Sequence, residues 1–127
     1  MVSKGGFPFE APLQISTLMK EFERQELSQF TPCCFDSHKK IAEALATVHA
    51  ELMLIHPFRE GNGRLGRLLA VLMALQANLP PLDFSIIDGE KKSAYFMAVQ
   101  AGLDRNYSAM TQIFLEVIET TIKQYGA

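Results

Sequence analysis

One stretch of the chain, residues 56–67, concentrates residue types suited to the chemistry of phosphate groups. It reads His-Pro-Phe-Arg-Glu-Gly-Asn-Gly-Arg-Leu-Gly-Arg. His56 is a titratable base whose ordinary pKa of about 6.5 lies near neutrality. Glu60 offers the carboxylate oxygens with which proteins hold Mg²⁺ beside a phosphate. The stretch therefore combines a proton acceptor with a hard metal ligand.

The residues that follow Glu60 are suited to binding an anion. Gly61, Asn62 and Gly63 are residue types that tolerate positive φ, and such a run can turn backbone N–H groups inward as an anion-binding nest. A helix predicted to begin at about Arg64 would add its N-terminal dipole. Arg64 and Arg67 would share a face of that helix, where two guanidinium groups favour a polyphosphate. Together these features predict phosphate-transfer chemistry on a metal-bound nucleotide.

Each part of the stretch also has a simpler explanation. A histidine before a proline is usually a helix end, Gly-Asn-Gly is most often a turn, and paired arginines on a helix usually face solvent. A chain that needed only a turn would not need a base, an acid and two arginines at these offsets. The combination therefore favours the functional interpretation. The chain has no Gly-x-x-x-x-Gly-Lys-Ser/Thr motif, so the site is not a P-loop.

The hydrophobic pattern predicts the elements that position this stretch. We expect five helices, at about 12–27, 37–55, 64–77, 90–101 and 108–125. Asp36 or Ser37 is a suitable N-cap for the second helix, and the proline after His56 ends it. The third helix is apolar nearly all round and is predicted to be central and buried. The opening segment, with Pro8, predicts a short extended edge.

Length and composition narrow the class of protein. The 127 residues suit one domain, and 48% hydrophobic residues are typical of a globular chain. The net charge of −2 argues against coating nucleic acid or an anionic membrane, and no basic recognition face supports DNA binding. Cys33 and Cys34 are adjacent, which favours two reduced thiols. No signal peptide or membrane span is recognisable, so we expect a cytoplasmic protein.

The stretch resembles the signature of the Fic family of nucleotidyltransferases. Residues 56–64 match His-Pro-Phe-x-Asp/Glu-Gly-Asn-Gly/Lys-Arg at every fixed position, and Arg67 completes the longer form. Residues 3–9 resemble the family's flap, a β-hairpin over the active site, and residues 95–108 resemble its later helices. The helices and first flap strand of fuller members are not recognisable upstream. The resemblance implies an all-α, Fic-like helical bundle, with residues 1–10 a remnant of the β-hairpin flap and residues 11–127 the helical core.

The resemblance also implies a reaction, the transfer of AMP from ATP to a Tyr, Thr or Ser hydroxyl of a target protein. His56 would be the general base, and Glu60 would hold Mg²⁺ between the α- and β-phosphates. Asn62 and the amides of Gly61 and Gly63 would cradle the phosphates. Such attack on phosphorus needs positioning and charge stabilisation more than covalent help.

The remaining site residues have supporting roles in this picture. Arg64 and Arg67 would neutralise the pyrophosphate leaving group. Phe58 belongs to the nucleotide-binding loop and would fix it by pointing into the core. The flap would bind a target segment as an added strand. Its docking residues would be Lys4, Gly5, Gly6 and Phe7.

Several alternatives stay open at this stage. The same site can serve another donor or group, as in UMP, phosphocholine or phosphate transfer. The Doc-like branch that moves phosphate carries Lys where this chain has Gly63, which counts against it. A catalytically silent nucleotide-binding or interaction module is a further alternative, although the intact His56 argues against it. Tyr95 and Phe96 are candidates for the adenine pocket, with a core role slightly favoured, and His49 is interpreted as structural.

Control of the site is a separate question. Many relatives are inhibited by the glutamate of a Ser/Thr-x-x-x-Glu-Gly/Asn segment, which pairs with the second arginine of the motif, here Arg67. Two stretches have this spacing, 17–21 and 47–51, but Phe22 and Leu52 follow them instead of Gly or Asn. We therefore expect any inhibition to come from an antitoxin-like partner protein that supplies a glutamate, or from residues outside this chain.

Overall fold

The computed structural model describes residues 3–4, 7–8, 12–55 and 61–125, and within these ranges the chain is almost entirely helical. In chain order the elements are β1 (Ser3–Lys4), β2 (Phe7–Pro8), α1 (Pro12–Phe22), a π-helical turn (Glu23–Leu27), α2 (Ser28–Phe30), α3 (His38–Ile55), α4 (Asn62–Gln76), α5 (Ser85–Asp88), α6 (Lys92–Ala101), a 3₁₀ turn (Gly102–Asp104) and α7 (Ser108–Gln124). The predicted all-α fold class is confirmed.

The strands at the N-terminus are minimal. β1 and β2 pair antiparallel, with Ser3 opposite Pro8 and Lys4 opposite Phe7. Pairing of two residues a side is too short to stand alone as a stable hairpin. A flap standing over a site is not seen in the described residues, so the β-hairpin flap stays a prediction.

Helix α3 occupies the centre of the fold. It packs against α1, α4, α6 and α7, and it is buried on most of its circumference. Alanines at several of its positions allow the neighbouring helices to approach closely: Ala42, Ala44, Ala46 and Ala50, all fully buried. Ser37 caps it as predicted, because the Ser37 Oγ accepts a hydrogen bond of 3.2 Å from the Lys40 N–H. This central helix ends directly before the motif.

Helix α4 lies to one side of α3, so the prediction of a central, buried α4 is wrong. Its buried face consists mainly of small residues and a methionine: Gly66, Ala70, Met73 and Ala74. Its opposite face carries leucines that are about half exposed: Leu68, Leu72 and Leu75. Periodicity could not place α4, because a helix that is apolar all round has no preferred inward face. The alanine-rich helix α3 lies at the centre instead.

Other boundaries differ modestly from the sequence prediction. α1 ends at Phe22 and passes into the π-helical turn, where one continuous helix to about residue 27 was expected. The connector after α4 contains the short helix α5, which the sequence did not predict. α7 begins at Ser108, as predicted, but the Asn106 Oδ1 accepts the Ser108 N–H (3.1 Å) and supplies the turn that starts it.

Two further predictions concern thiols and membranes. Cys33 is buried and Cys34 exposed, and both are free thiols as expected. The backbone N–H of Cys33 donates to the Gln76 Oε1 (2.8 Å), which joins this loop to the end of α4. Among the described helices, none is long and apolar enough to cross a membrane.

Candidate active site

The structure describes part of the predicted site, namely Gly61, Asn62, Gly63, Arg64 and Arg67. The remaining motif residues lie outside the described residues: His56, Phe58 and Glu60. The same holds for Gly5 and Gly6 of the predicted flap, whereas Lys4 and Phe7 are described through their backbone pairing. The described geometry is therefore that of the first turns of α4 and the elements packed around them.

Gly61 sets the start of α4. Its φ of +83° lies in the left-handed region, which glycine adopts without the penalty that a Cβ imposes. The Leu65 N–H donates a hydrogen bond to the Gly61 carbonyl (2.9 Å). The backbone N–H groups of residues 62–64 come before this bond along the chain, in the first turn of the helix. Of the three residues 61–63, whose types tolerate positive φ, Gly61 alone adopts it, because Asn62 and Gly63 are already helical. The backbone here forms a helix N-terminus that begins with a glycine cap, a geometry that can bind an anion.

The side chains of this first turn lie in contrasting environments. Asn62 is buried, while Gly63 and Arg64 are exposed. A Cβ added at Gly63 would meet nothing within 4 Å, so the open space there would accept a larger side chain. Within the described residues the site is thus open to solvent beside Arg64.

Arg67, one turn further along α4, is held by α5. Its Nη1 and Nη2 donate to the two carboxylate oxygens of Asp88, at 3.1 and 2.6 Å. Its Cζ also lies 5.4 Å from the ring centroid of Phe84, within the range of a cation–π contact. The hydrogen bond from Arg67 keeps the pKa of the Asp88 carboxyl below its usual range. Sequence reasoning missed Asp88, because its only signal was an acid before a glycine in an unassigned connector.

His49 lies on the face of α3 that packs against α4. Its Nε2 shares a hydrogen bond of 2.6 Å with the Tyr95 hydroxyl, and its ring lies edge-on to Phe114 at 5.3 Å between centroids. Burial lowers the pKa of His49 to about 4, so the ring is neutral at physiological pH. The described residues contain no group of three or more potential metal-ligating side chains. The interpretation of His49 as structural agrees with these surroundings.

The aromatic pair that was considered for the adenine pocket is divided between core and surface. Tyr95 is buried, and burial raises its pKa to about 12, so its hydroxyl stays protonated and bonded to His49. Phe96 is 57% exposed and contacts Tyr95 edge-on at 5.6 Å between centroids. The favoured core role is therefore right for Tyr95 and wrong for Phe96.

Comparison with known proteins now identifies the family. The model of the Fic/DOC family matches residues 1–74, which is more than half of the chain and includes the whole motif. The chain belongs to the Fic/DOC family. This Fic chain is 30% identical over 121 residues to Protein adenylyltransferase Fic of Drosophila ananassae, and equally to that of Drosophila melanogaster. Each alignment covers 95% of this chain and 23% of the relative, so the chain spans about a quarter of the length of these curated relatives.

A solved structure supports the fold assignment of this Fic domain. The crystal structure of BepC, a VirB-translocated effector protein from Bartonella tribocorum with bound AMPPNP, is similar with a TM-score of 0.70 and 31% identity. The similarity covers 92% of this chain and 54% of BepC. The predicted Fic-like helical fold is confirmed by this match and by the family model.

Proposed function

We propose that this Fic domain is a protein adenylyltransferase, which moves AMP from ATP to a Tyr, Thr or Ser hydroxyl of a target protein. The observation that carries the proposal is the complete motif over residues 56–67. Residues 61–67 of this motif form a helix N-terminus that is capped by glycine and carries arginines on its first two turns. Relatives named Protein adenylyltransferase Fic and the AMPPNP bound to BepC support a donor of the ATP type.

In the proposed reaction the target hydroxyl oxygen attacks the α-phosphorus of ATP. A bond forms from that oxygen to phosphorus, the bond from phosphorus to the β-phosphate oxygen breaks, and pyrophosphate leaves. His56 takes the hydroxyl proton as general base, a contribution typically worth about 10²–10⁴-fold in rate.

Residues of α4 bind the phosphates in this proposal. The amides of Gly61 and Gly63 and the side chain of Asn62 cradle them, and the helix dipole adds positive potential at the same place. Arg64 and Arg67 stabilise the negative charge that develops on the leaving pyrophosphate. Phe58 would fix the loop, as the family resemblance implies.

Mg²⁺ is the metal that this proposal requires, and Glu60 would hold it. A carboxylate oxygen is the ligand type that Mg²⁺ prefers, and in such sites substrate phosphates and water complete the shell. When bound, the ion would neutralise phosphate charge and orient the leaving group.

Target recognition and domain organisation are also proposals. The N-terminal residues Lys4, Gly5, Gly6 and Phe7 would present a strand edge to a segment of the target, so that main-chain hydrogen bonds set the hydroxyl in register. Residues 1–127 would form one catalytic Fic domain, with residues 1–10 as the flap and residues 11–127 as the helical core. Nucleic acid and membranes are not proposed partners.

The position of Glu51, the acid of the second stretch with inhibitory spacing, argues against inhibition by that stretch. Glu51 is buried on the central helix α3 and accepts a hydrogen bond from the Tyr107 hydroxyl. A glutamate held inside the fold in this way cannot swing onto Arg67. We therefore propose that an antitoxin-like partner, or residues outside this chain, supplies any inhibitory glutamate.

A labelled-nucleotide experiment tests the reaction. The chain is incubated with Mg²⁺, candidate target proteins and ATP labelled on either the α- or the γ-phosphate, and labelled protein is then detected. Incorporation of the α-label alone, lost when Mg²⁺ is chelated, is the expected result. Incorporation of the γ-label would instead establish phosphate transfer, and label from UTP but not ATP would establish UMP transfer.

A second histidine and other donors serve as controls for this experiment. His56→Ala should abolish labelling, whereas His38→Ala, which changes an exposed histidine at the start of α3, should not. If the chain binds ATP but no label from any nucleotide or from a phosphocholine donor enters protein, the catalytically silent binding module would be favoured.

A further inference from the structure

The pair formed by Arg67 and Asp88 joins the motif helix to an element outside the motif. We propose that Asp88 is a positioning residue, which holds the Arg67 guanidinium where it binds the β- and γ-phosphates of the nucleotide. The proposal rests on the proposed function, since it assigns a second residue to the phosphate-binding end of the same site. Asp88 itself would not touch the nucleotide.

Three contacts restrain the head of Arg67. Two hydrogen bonds join its Nη1 and Nη2 to Asp88, at 3.1 and 2.6 Å, in the paired geometry that fixes orientation as well as distance. The third is the Phe84 ring, with its centroid 5.4 Å from the Arg67 Cζ. Phe84 directly precedes α5 as its N-cap and Asp88 is its last residue, so one short segment supplies both the aromatic ring and the carboxylate. An arginine held in this way loses less freedom when it binds phosphate.

The base of the Arg67 side chain is restrained as well. The residue before it, Gly66, lies so close to His49 that an added Cβ would be 2.9 Å from the His49 Cε1. The α4 backbone is therefore tightly packed against α3 at this point. Arg67 is therefore restrained at its backbone by α3 and at its guanidinium by α5.

Asp88 is itself attached to the core. The Asp83 N–H donates to the Thr121 Oγ1 of α7 (2.9 Å), and the Asp83 Oδ1 accepts the Ser85 N–H (2.9 Å) at the start of α5. Ile87, next to Asp88, is buried. These contacts anchor α5 to α7 and to the core, so Asp88 restrains Arg67 from a fixed position.

The arrangement leaves Arg67 able to bind an anion. Guanidinium carries five N–H donors, and the bonds to Asp88 use two of them. The side chain of Arg67 is 34% exposed, and arginine stays charged at any physiological pH. Asp88 therefore orients the guanidinium and leaves donors for phosphate oxygens. The opposite outcome, in which the carboxylate blocks Arg67, predicts the reverse effect on ATP binding.

Calorimetric titration distinguishes these outcomes. ATP and AMP, each with Mg²⁺, are titrated into the wild-type chain, Asp88→Asn, Arg67→Ala and the double variant. Asp88→Asn should weaken ATP binding by about 3- to 10-fold and leave AMP binding unchanged, because AMP lacks the β- and γ-phosphates. In the Arg67→Ala background, Asp88→Asn should have no further effect, since Asp88 acts through Arg67. Asp88→Glu should restore part of the lost affinity.

Asp36→Asn is the matched control. Asp36 forms an exposed ion pair with Lys40 (3.2 Å) at the start of α3, and its substitution should change neither titration. Tighter ATP binding by Asp88→Asn would overturn the proposal in favour of blocking. Equal losses for ATP and AMP, or a loss that persists without Arg67, would show a general structural role and would also overturn it.

A readout without nucleotide tests the restraint itself. In nitrogen-detected NMR of the free protein, the Nη signals of Arg67 should be resolved in the wild type, because the bonds to Asp88 slow rotation of the guanidinium. They should merge in Asp88→Asn, and resolved signals in that variant would overturn the restraint. If Asp88→Asn weakens the binding of ATP but not of AMP, and the chain nevertheless fails to transfer AMP, the proposed function alone would be overturned.

Discussion

His49 and Gly66 are in such close contact that any side chain at position 66 would force neighbouring atoms to shift. A Cβ there would lie 2.9 Å from the His49 Cε1, 3.1 Å from its Nδ1 and 3.1 Å from the Met53 Sδ. The His49 ring is itself held by the Tyr95 hydroxyl, so it has little freedom to move away. This contact sets how closely the motif helix α4 approaches the central helix α3.

Gly66→Ala should therefore destabilise the fold. We expect a loss of about 1–3 kcal/mol in the free energy of unfolding, as for overpacking in a core, measured by urea denaturation. Gly63→Ala is the matched control on the same helix, because a Cβ there meets nothing within 4 Å. It should be neutral or stabilise by up to about 1 kcal/mol. Equal effects of the two changes would contradict the close contact at Gly66.

Burial of His49 predicts a pH dependence of stability. Its pKa falls from the ordinary 6.5 to about 4 because burial disfavours the charged ring. The unfolded chain thus takes up a proton at this residue at a higher pH than the folded chain does. Stability should fall as pH drops from about 6.5 towards 4, by up to about 3 kcal/mol from this residue.

Chemical denaturation of the wild type and His49→Gln at several pH values between 7.5 and 4.5 measures this contribution. The difference in free energy of unfolding between the two proteins should shrink as pH falls, because only the wild type loses stability through protonation of His49. His38→Gln, which changes an exposed histidine, should follow the wild-type curve. A constant difference between wild type and His49→Gln would mean that His49 is not buried in its neutral form.

The placement of α3 and α4 predicts unequal effects of two leucine truncations. Leu45 on α3 is fully buried, whereas Leu72 on α4 is 50% exposed. Leu45→Ala should cost about 2–5 kcal/mol and Leu72→Ala less than about 0.5 kcal/mol in thermal or urea unfolding. A large loss for Leu72→Ala would show that its face of α4 is covered in the native protein.

The proposed general base predicts a separation of binding from turnover. His56→Ala should lower transfer by about 10²–10⁴-fold, because the proposed general base is then missing. ATP affinity should be nearly unchanged, since the proposal assigns phosphate binding to residues of α4 and not to His56. Single-turnover transfer and calorimetric ATP binding measure the two quantities, and unchanged transfer would refute the role of His56.

The motif and the family could be recognised from the sequence alone. Residues 56–67 combine a base, an acid, a glycine-rich turn and two arginines within one local segment, so their spacing along the chain already limits their spacing in space. The main helices followed from hydrophobic periodicity for the same reason, since periodicity and capping are local properties. Ser37 at the start of α3 is one cap that the sequence identified correctly.

Only the tertiary structure decided which helix is central and what holds the site in place. α4 contains the longest apolar run of the chain, residues 68–75, yet it lies at the side, because packing depends on how closely whole faces fit. The contacts of His49 with Gly66 and of Arg67 with Asp88 join residues 17 and 21 positions apart, through elements whose relative placement no local pattern encodes. Asp88 could not be recognised from sequence, because α5 is a single turn whose position depends on contacts with α7.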